Sequence, residues 1–153
     1  MPMRTRAVNA PLTAELALSS RYDAVEVAEQ VLAALCTGAG WGEDERYWVV
    51  AATREAVANA IRHGNREREE LPVAVRLEVT PAEVVVRVAD RGPGFRPEDV
   101  PDPTAPENLL RPSGRGIFYM KRFMDHVTFA PREGGGTVVL MRRRRRPPER
   151  STA

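Results

Sequence analysis

Apolar side chains recur along this chain with two different periods, and the change of period divides it into elements. Leu12, Ala14, Leu16 and Leu18 alternate with Thr13, Glu15 and Ala17, which predicts a first strand. Ser20-Arg21-Tyr22-Asp23 has capping-box spacing, with Asp in the usual Glu place. It opens a helix with Val25, Ala28, Val31, Leu32 and Leu35 on one face, stopped by Gly38 and Gly40. A longer helical run from Glu43 to His63 carries Val49, Val50, Val57, Ala60 and Ile61 on its core face, and Gly64-Asn65 ends it. Val73, Val75, Leu77 and Val79 then alternate through a second strand. Thr80-Pro81-Ala82-Glu83 turns the chain into a third strand over residues 84–89, giving a hairpin with one buried face.

From Arg91 to Pro112 the pattern disappears. Six prolines (93, 97, 101, 103, 106, 112) and four acids make a loop too long for a plain connector, and such loops are functional or disordered. Residues 113–124 predict a short helix and Val127-Thr128-Phe129 a strand. Glu133-Gly134-Gly135-Gly136 turns the chain into a last apolar strand over residues 137–141. The order β-α-α-β-β-loop-α-β-β predicts an α+β fold of two layers, helices covering one face of a mixed, mostly antiparallel sheet.

Composition adds limits. A chain of 153 residues, 42% hydrophobic and 29% charged, reads as one globular domain. Nothing approaches a transmembrane run, and Met1-Pro2-Met3-Arg4 does not open a signal peptide, so a cytoplasmic location is expected. One cysteine, Cys36, excludes an internal disulfide and falls on the apolar side of a predicted helix, as a buried thiol would. The net charge of +2 is unevenly placed. Residues 142–150 hold six Arg and one Glu, a net +5, which leaves −3 for the rest. An acidic body argues against direct nucleic-acid binding, and no membrane contact is expected. Residues 1–11 are expected to be a flexible lead-in, 12–142 the folded domain and 143–153 a solvated basic tail.

Three short motifs carry candidate chemistry. Glu55, Asn59 and His63 recur every four residues as a second stripe on the long helix, beside the small Ala51, Ala52 and Ala58. A carboxylate and a carboxamide one turn apart are costly to bury without partners. A surface stripe or a structural hydrogen bond would also account for them. Asp90 shares the inward face of Val84, Val86 and Val88, then enters Asp90-Arg91-Gly92-Pro93-Gly94-Phe95. That segment is either a tight turn or a buried acceptor beside glycines that admit a ligand. Ser113-Gly114-Arg115-Gly116 leads into a helix whose free N–H groups could bind phosphate, or is an ordinary junction. Gly136-Thr137 at a strand start is weaker still. His63 and His126 are too isolated to suggest a metal site.

Taken together, Glu-x-x-x-Asn-Ala-x-x-His-Gly, Asp-x-Gly-x-Gly, the Pro-rich loop, Gly-x-Gly before a helix and Gly-Thr, in that order, resemble the ATP-binding domain of the GHKL (Bergerat-fold) superfamily. The phrasing of residues 54–64 and 114–125 is most similar to the anti-sigma factor serine/threonine-protein kinases of bacteria. The resemblance covers about residues 12–142. It implies a fold, a chemistry and partners. Asn59 would ligate Mg²⁺ and Asp90 would accept the adenine amino group of ATP. Gly92 and Gly94 would admit base and sugar, and Thr137 would sit near the adenine. Residues 91–112 would form an ATP lid. Ser113, Gly114, Arg115 and Gly116 would hold phosphate, with either Arg111 or Arg115 reaching the terminal one, and Ile117 would also belong to the ATP site. Glu55 would be the catalytic base that takes a proton from an attacking hydroxyl. The acceptor would be a serine on a STAS-type anti-anti-sigma protein, the second partner a sigma factor, and a homodimer would be in keeping. The alternative in another class is an ATP-dependent binding module without turnover. A nucleic-acid-associated protein working through its arginine tail fits least.

Overall fold

The computed structural model describes residues 10–96, 98 and 116–147. The expected tip of the lid, Arg111, and Ser113, Gly114 and Arg115 lie outside the described residues. Strands β1 (Leu12–Leu18), β2 (Val73–Val79), β3 (Glu83–Ala89), β4 (His126–Pro131) and β5 (Thr137–Arg144) form one sheet in the order β1-β2-β3-β5-β4. Every pairing is antiparallel, so the expected mixed sheet contains no parallel pair among the described residues. Helices α1 (Val25–Gly38), α2 (Glu43–Asn59) and α3 (Gly116–Phe123) make the second layer, with α2 packed between α1 and α3.

Alternation in the strands builds the core. Val75, Leu77 and Val79 of β2 face inward with Val84, Val86 and Val88 of β3 and Val139 and Met141 of β5. The register places Leu77 opposite Val86 and Val86 opposite Met141, so the inward residues fall in rows across the sheet. Ala28 and Leu32 of α1, Val49, Ala56 and Val57 of α2 and Met120 of α3 cover these rows. Three acids in the first turn of α2, Glu43, Asp44 and Glu45, meet the positive end of its dipole. Cys36 is buried, and burial pushes its thiol up to about 11, which keeps it protonated.

Three expectations need correction. The Ser20–Asp23 capping box does not form: α1 is entered through a short 3-10 turn, Tyr22–Ala24, without a side-chain cap. Ser20 Oγ instead donates to the Leu71 carbonyl across the loop. The long helix does not run regularly to His63. α2 ends at Asn59 and passes into a wider π-helical turn, Ala60–Gly64, closed by the Asn65 N–H on the Ala60 carbonyl at 2.7 Å.

The basic tail does not begin at 143. β5 continues to Arg144, and its alternation turns Arg143 inward with Val139 and Met141. Arg143 is 4% exposed. Its Nε donates to Glu45 at 3.1 Å, its Nη1 to the Phe123 carbonyl at 2.6 Å, and its guanidinium lies 4.8 Å from the Trp48 ring centroid. One side chain therefore ties β5 to the first turn of α2 and the last turn of α3. Arg143→Ala is expected to destabilise the fold by about 3 kcal/mol, because it strands Glu45 and a helix-end carbonyl and opens a void. Arg144→Ala, one residue along on the exposed face, should change stability by less than about 0.5 kcal/mol. Urea denaturation of the two variants checks the contrast.

Candidate active site

The inward alternation of β3 does not stop at Ala89. It carries Asp90 into the interior, 1% exposed. The Thr137 N–H donates to Asp90 Oδ2 at 3.2 Å, and the Asp90 N–H donates to the Thr137 carbonyl at 3.0 Å. Oδ1 is buried and has no hydrogen-bond partner among the described residues. Burial pushes the carboxyl up to about 6, opposed by the N–H groups of Thr137, Gly92 and Asp90 itself and by the Arg132 guanidinium. A carboxyl raised in the fold costs nothing below its ordinary range, where folded and unfolded chains are both protonated. The penalty grows as pH climbs towards about 6 and is constant above that. Asp90→Asn should therefore gain about 2–3 kcal/mol relative to wild type between pH 4 and pH 7 in the ligand-free protein. Thermal melts of both proteins across that range measure it.

Asn65, which sequence reasoning took only as a helix stop, fixes this turn. It is fully buried. Its Oδ1 accepts the N–H groups of Arg91 and Gly92, both at 2.8 Å. Its Nδ2 donates to Ser20 Oγ, the Leu71 carbonyl and the Pro72 carbonyl. Close backbone contact completes the lock. A Cβ on Gly64 would lie 2.3 Å from Asp90 Cγ, and one on Gly92 would lie 2.2 Å from the Gly64 carbonyl oxygen. Gly94 brings the turn against Thr137, whose hydroxyl accepts the Phe95 N–H at 2.8 Å and donates to the Phe95 carbonyl at 3.0 Å. Beside them a cleft of about 690 Å³ opens, lined by Gly94, Phe95, Phe129, Gly136 and Thr137 among others. That volume is of the size ligand sites have.

Glu55 and Asn59 come from α2. Asn59 stands at the junction with the π-helical turn, and its buried Nδ2 has no partner among the described residues. Glu55 is about a quarter exposed, with Oε1 3.8 Å from Arg54 Nε. The first residue of α3, Gly116, lies directly on this pair. A Cβ there would sit 2.9 Å from Glu55 Oε2 and 3.3 Å from Asn59 Nδ2, so a larger residue would have to push the Glu55 carboxylate aside. The N-terminus of α3, whose first N–H groups have no acceptor within the helix, is thereby brought to the carboxylate and the carboxamide. Ile117 behind it packs half-buried on the core. His63, third in the stripe, departs from it: the π-helical turn puts its ring 6.1 Å from Phe95, and burial lowers its pKa.

A protein-family model described as "Histidine kinase-like ATPase domain" matches residues 18–143. The chain belongs to this family. An anti-sigma F factor of Clostridium botulinum (strain Eklund 17B / Type B) is 36% identical over 86 residues, which cover 54% of this chain and 59% of the relative. The chain thus spans less than two thirds of that relative's length. The serine-protein kinase RsbW of Oceanobacillus iheyensis is 24% identical over 126 residues, covering 78% of this chain and 80% of the relative. The crystal structure of the RsbU and RsbW domains of a Mycobacterium tuberculosis protein superposes with a TM-score of 0.64 at 18% identity, over 89% of this chain and 33% of the other. That likeness shows the shared fold.

The residues of this histidine kinase-like ATPase domain fit a nucleotide with a hard divalent cation. Asp90 Oδ1 is a buried acceptor with no donor among the described residues, as an adenine amino group requires. The Asn59 carboxamide is buried with its Nδ2 unpaired among the described residues, and a half turn about its terminal torsion presents Oδ1 in place of Nδ2.

Proposed function

We propose that this chain binds Mg-ATP and acts as an anti-sigma factor and serine-protein kinase, holding a sigma factor and phosphorylating a serine on a STAS-type antagonist. The observation that carries this reading is the contact of Gly116 with the Glu55–Asn59 pair. It sets a candidate base, a candidate metal ligand and the start of a helix side by side. The names of the relatives, anti-sigma F factor and serine-protein kinase, favour the same function.

Each residue has a task. Asp90 accepts the adenine amino group and so selects adenine over guanine, which presents a carbonyl there. Asn59 holds Mg²⁺, which supplies charge neutralisation to the phosphates. The N-terminus of α3 adds N–H donors for phosphate oxygens. Glu55 orients the acceptor hydroxyl and takes its proton.

The test is transfer of labelled γ-phosphate from ATP to a purified STAS-type protein, with that protein's acceptor serine changed to alanine as control. Mg-ATP at one hundred times its Kd should add about 2.7 kcal/mol to stability, and GTP should not. Tight ATP-dependent binding of the partner without transfer would replace the kinase with a binding module. Equal protection by GTP and ATP would overturn the role of Asp90.

A further inference from the structure

Between α2 and α3 lies a depression of about 230 Å³ lined by Tyr47, Ala51, Arg54 and Glu55 on one side and Tyr119 and Phe123 on the other. A second depression, of about 300 Å³, shares Phe123 and is bounded by Trp48, Arg122, Arg143 and Arg146. The two adjoin at Phe123, and together they offer a groove with the Glu55 carboxylate lining one depression and basic side chains lining the other. Neither depression includes Asp90 or Thr137, so the groove is separate from the surroundings of the buried acceptor.

One wall of the groove is a column of nearly parallel planes. Tyr119 stacks on Phe123 at 6.0 Å and 13°, Phe123 on Trp48 at 6.5 Å and 10°, and the Arg143 guanidinium closes the column on Trp48. Because Arg143 is pinned by Glu45 and the Phe123 carbonyl, the wall is held in place from inside the fold. The aromatic lining is open to solvent: Tyr47 is 62% and Tyr119 36% exposed. Fixed, exposed aromatic side chains are the usual anchors of protein–protein contacts, since little conformational freedom is lost when they are covered.

We propose that this groove is the docking site of the protein acceptor, seating a segment whose serine hydroxyl reaches Glu55 and whose acidic side chains meet Arg122 and Arg146. The inference rests on the kinase reading above. The groove ends on the group that reading makes the base, so its occupant must bring a hydroxyl there. Arg122 and Arg146 set the direction, because they favour negative charge at the end away from Glu55. Arg146 also pairs with Asp125 at 2.9 Å, which leaves Arg122 as the stronger anchor for an acid.

The test uses the full chain with Tyr47 and Tyr119 both changed to alanine, and the STAS-type acceptor named above. Its Kd and KM should rise roughly 10- to 100-fold, while kcat at saturating acceptor, ATP affinity and melting temperature stay at wild-type values. Changing both residues to phenylalanine should restore most of the affinity. Arg122→Glu should weaken binding further at low salt than at high salt. Unchanged Kd and KM in the double alanine variant would overturn the docking site and leave the kinase intact. Binding that weakens as expected, with no transfer by wild type, would support the groove and overturn the kinase reading.

Discussion

Replacing Glu55 by Gln is expected to lower phosphoryl transfer to the acceptor serine by roughly 10²–10⁴-fold, with ATP and acceptor still binding. Gln keeps the shape of the side chain and so preserves its contact with Gly116 and its place one turn before Asn59. It removes the carboxylate proposed to accept the proton. Arg54, 3.8 Å from the carboxylate, loses only a partly exposed ion pair, which is worth little for folding. The variant should therefore fold, melt at the wild-type temperature and bind Mg-ATP with unchanged affinity. Rapid-quench measurement of a single turnover isolates the chemical step from product release. Wild-type rates in Glu55→Gln would remove Glu55 as the base; lost ATP affinity would make it a binding residue instead.

The second large effect concerns the backbone. Gly136→Ala is expected to destabilise the fold by about 3–5 kcal/mol and to abolish nucleotide binding. Gly136 has φ +101°, where an L side chain is strained, and an added Cβ would lie 2.2 Å from the Asp90 carbonyl oxygen and 2.9 Å from Asp90 Oδ1. The obstacle is backbone, which cannot swing away as a side-chain end can. Relief would require parting β3 from β5 at the point where Asp90 and Thr137 exchange hydrogen bonds. Gly134→Ala gives the control. It has φ +88° and so bears similar strain, but its nearest neighbour is a flexible arginine tip 3.8 Å away. A loss of only about 1–2 kcal/mol is expected there. Similar losses at the two positions would show that strain alone matters and that the Asp90 contact does not.

These residues also mark where sequence reasoning succeeds and where it stops. The strands were legible because each has one buried face, so Val73, Val75, Leu77 and Val79 announce their period. Asp90 was legible by extension of the same alternation. Arg143 obeys that alternation too, but five arginines in a row read as solvated by composition, and the partners that make its burial tolerable, Glu45 and the Phe123 carbonyl, are remote in sequence. Asn65 follows a glycine at a helix end, where asparagine is commonplace, so nothing local distinguishes it from a stop signal. The π-helical turn leaves no mark on hydrophobic spacing, and it moves Asn59 from mid-helix to a junction. Substituting Ser113, Gly114 or Arg115 should lower nucleotide affinity, the measurement that checks their proposed hold on phosphate.

The sheet order has a bearing on how the chain acquires its site. β2 with β3 and β4 with β5 are hairpins with short turns, and each can close locally. The β3–β5 pairing joins them across a far longer separation, with Asp90 and Thr137 47 residues apart at its end. Closing that distance is slower than closing either turn. The buried acceptor, the Gly136 contact and the Phe95–Thr137 bonds all depend on it. The buried carboxylate proposed to accept adenine thus takes its place only through a pairing that neither hairpin can make alone, and a half-made chain with both hairpins formed would lack it.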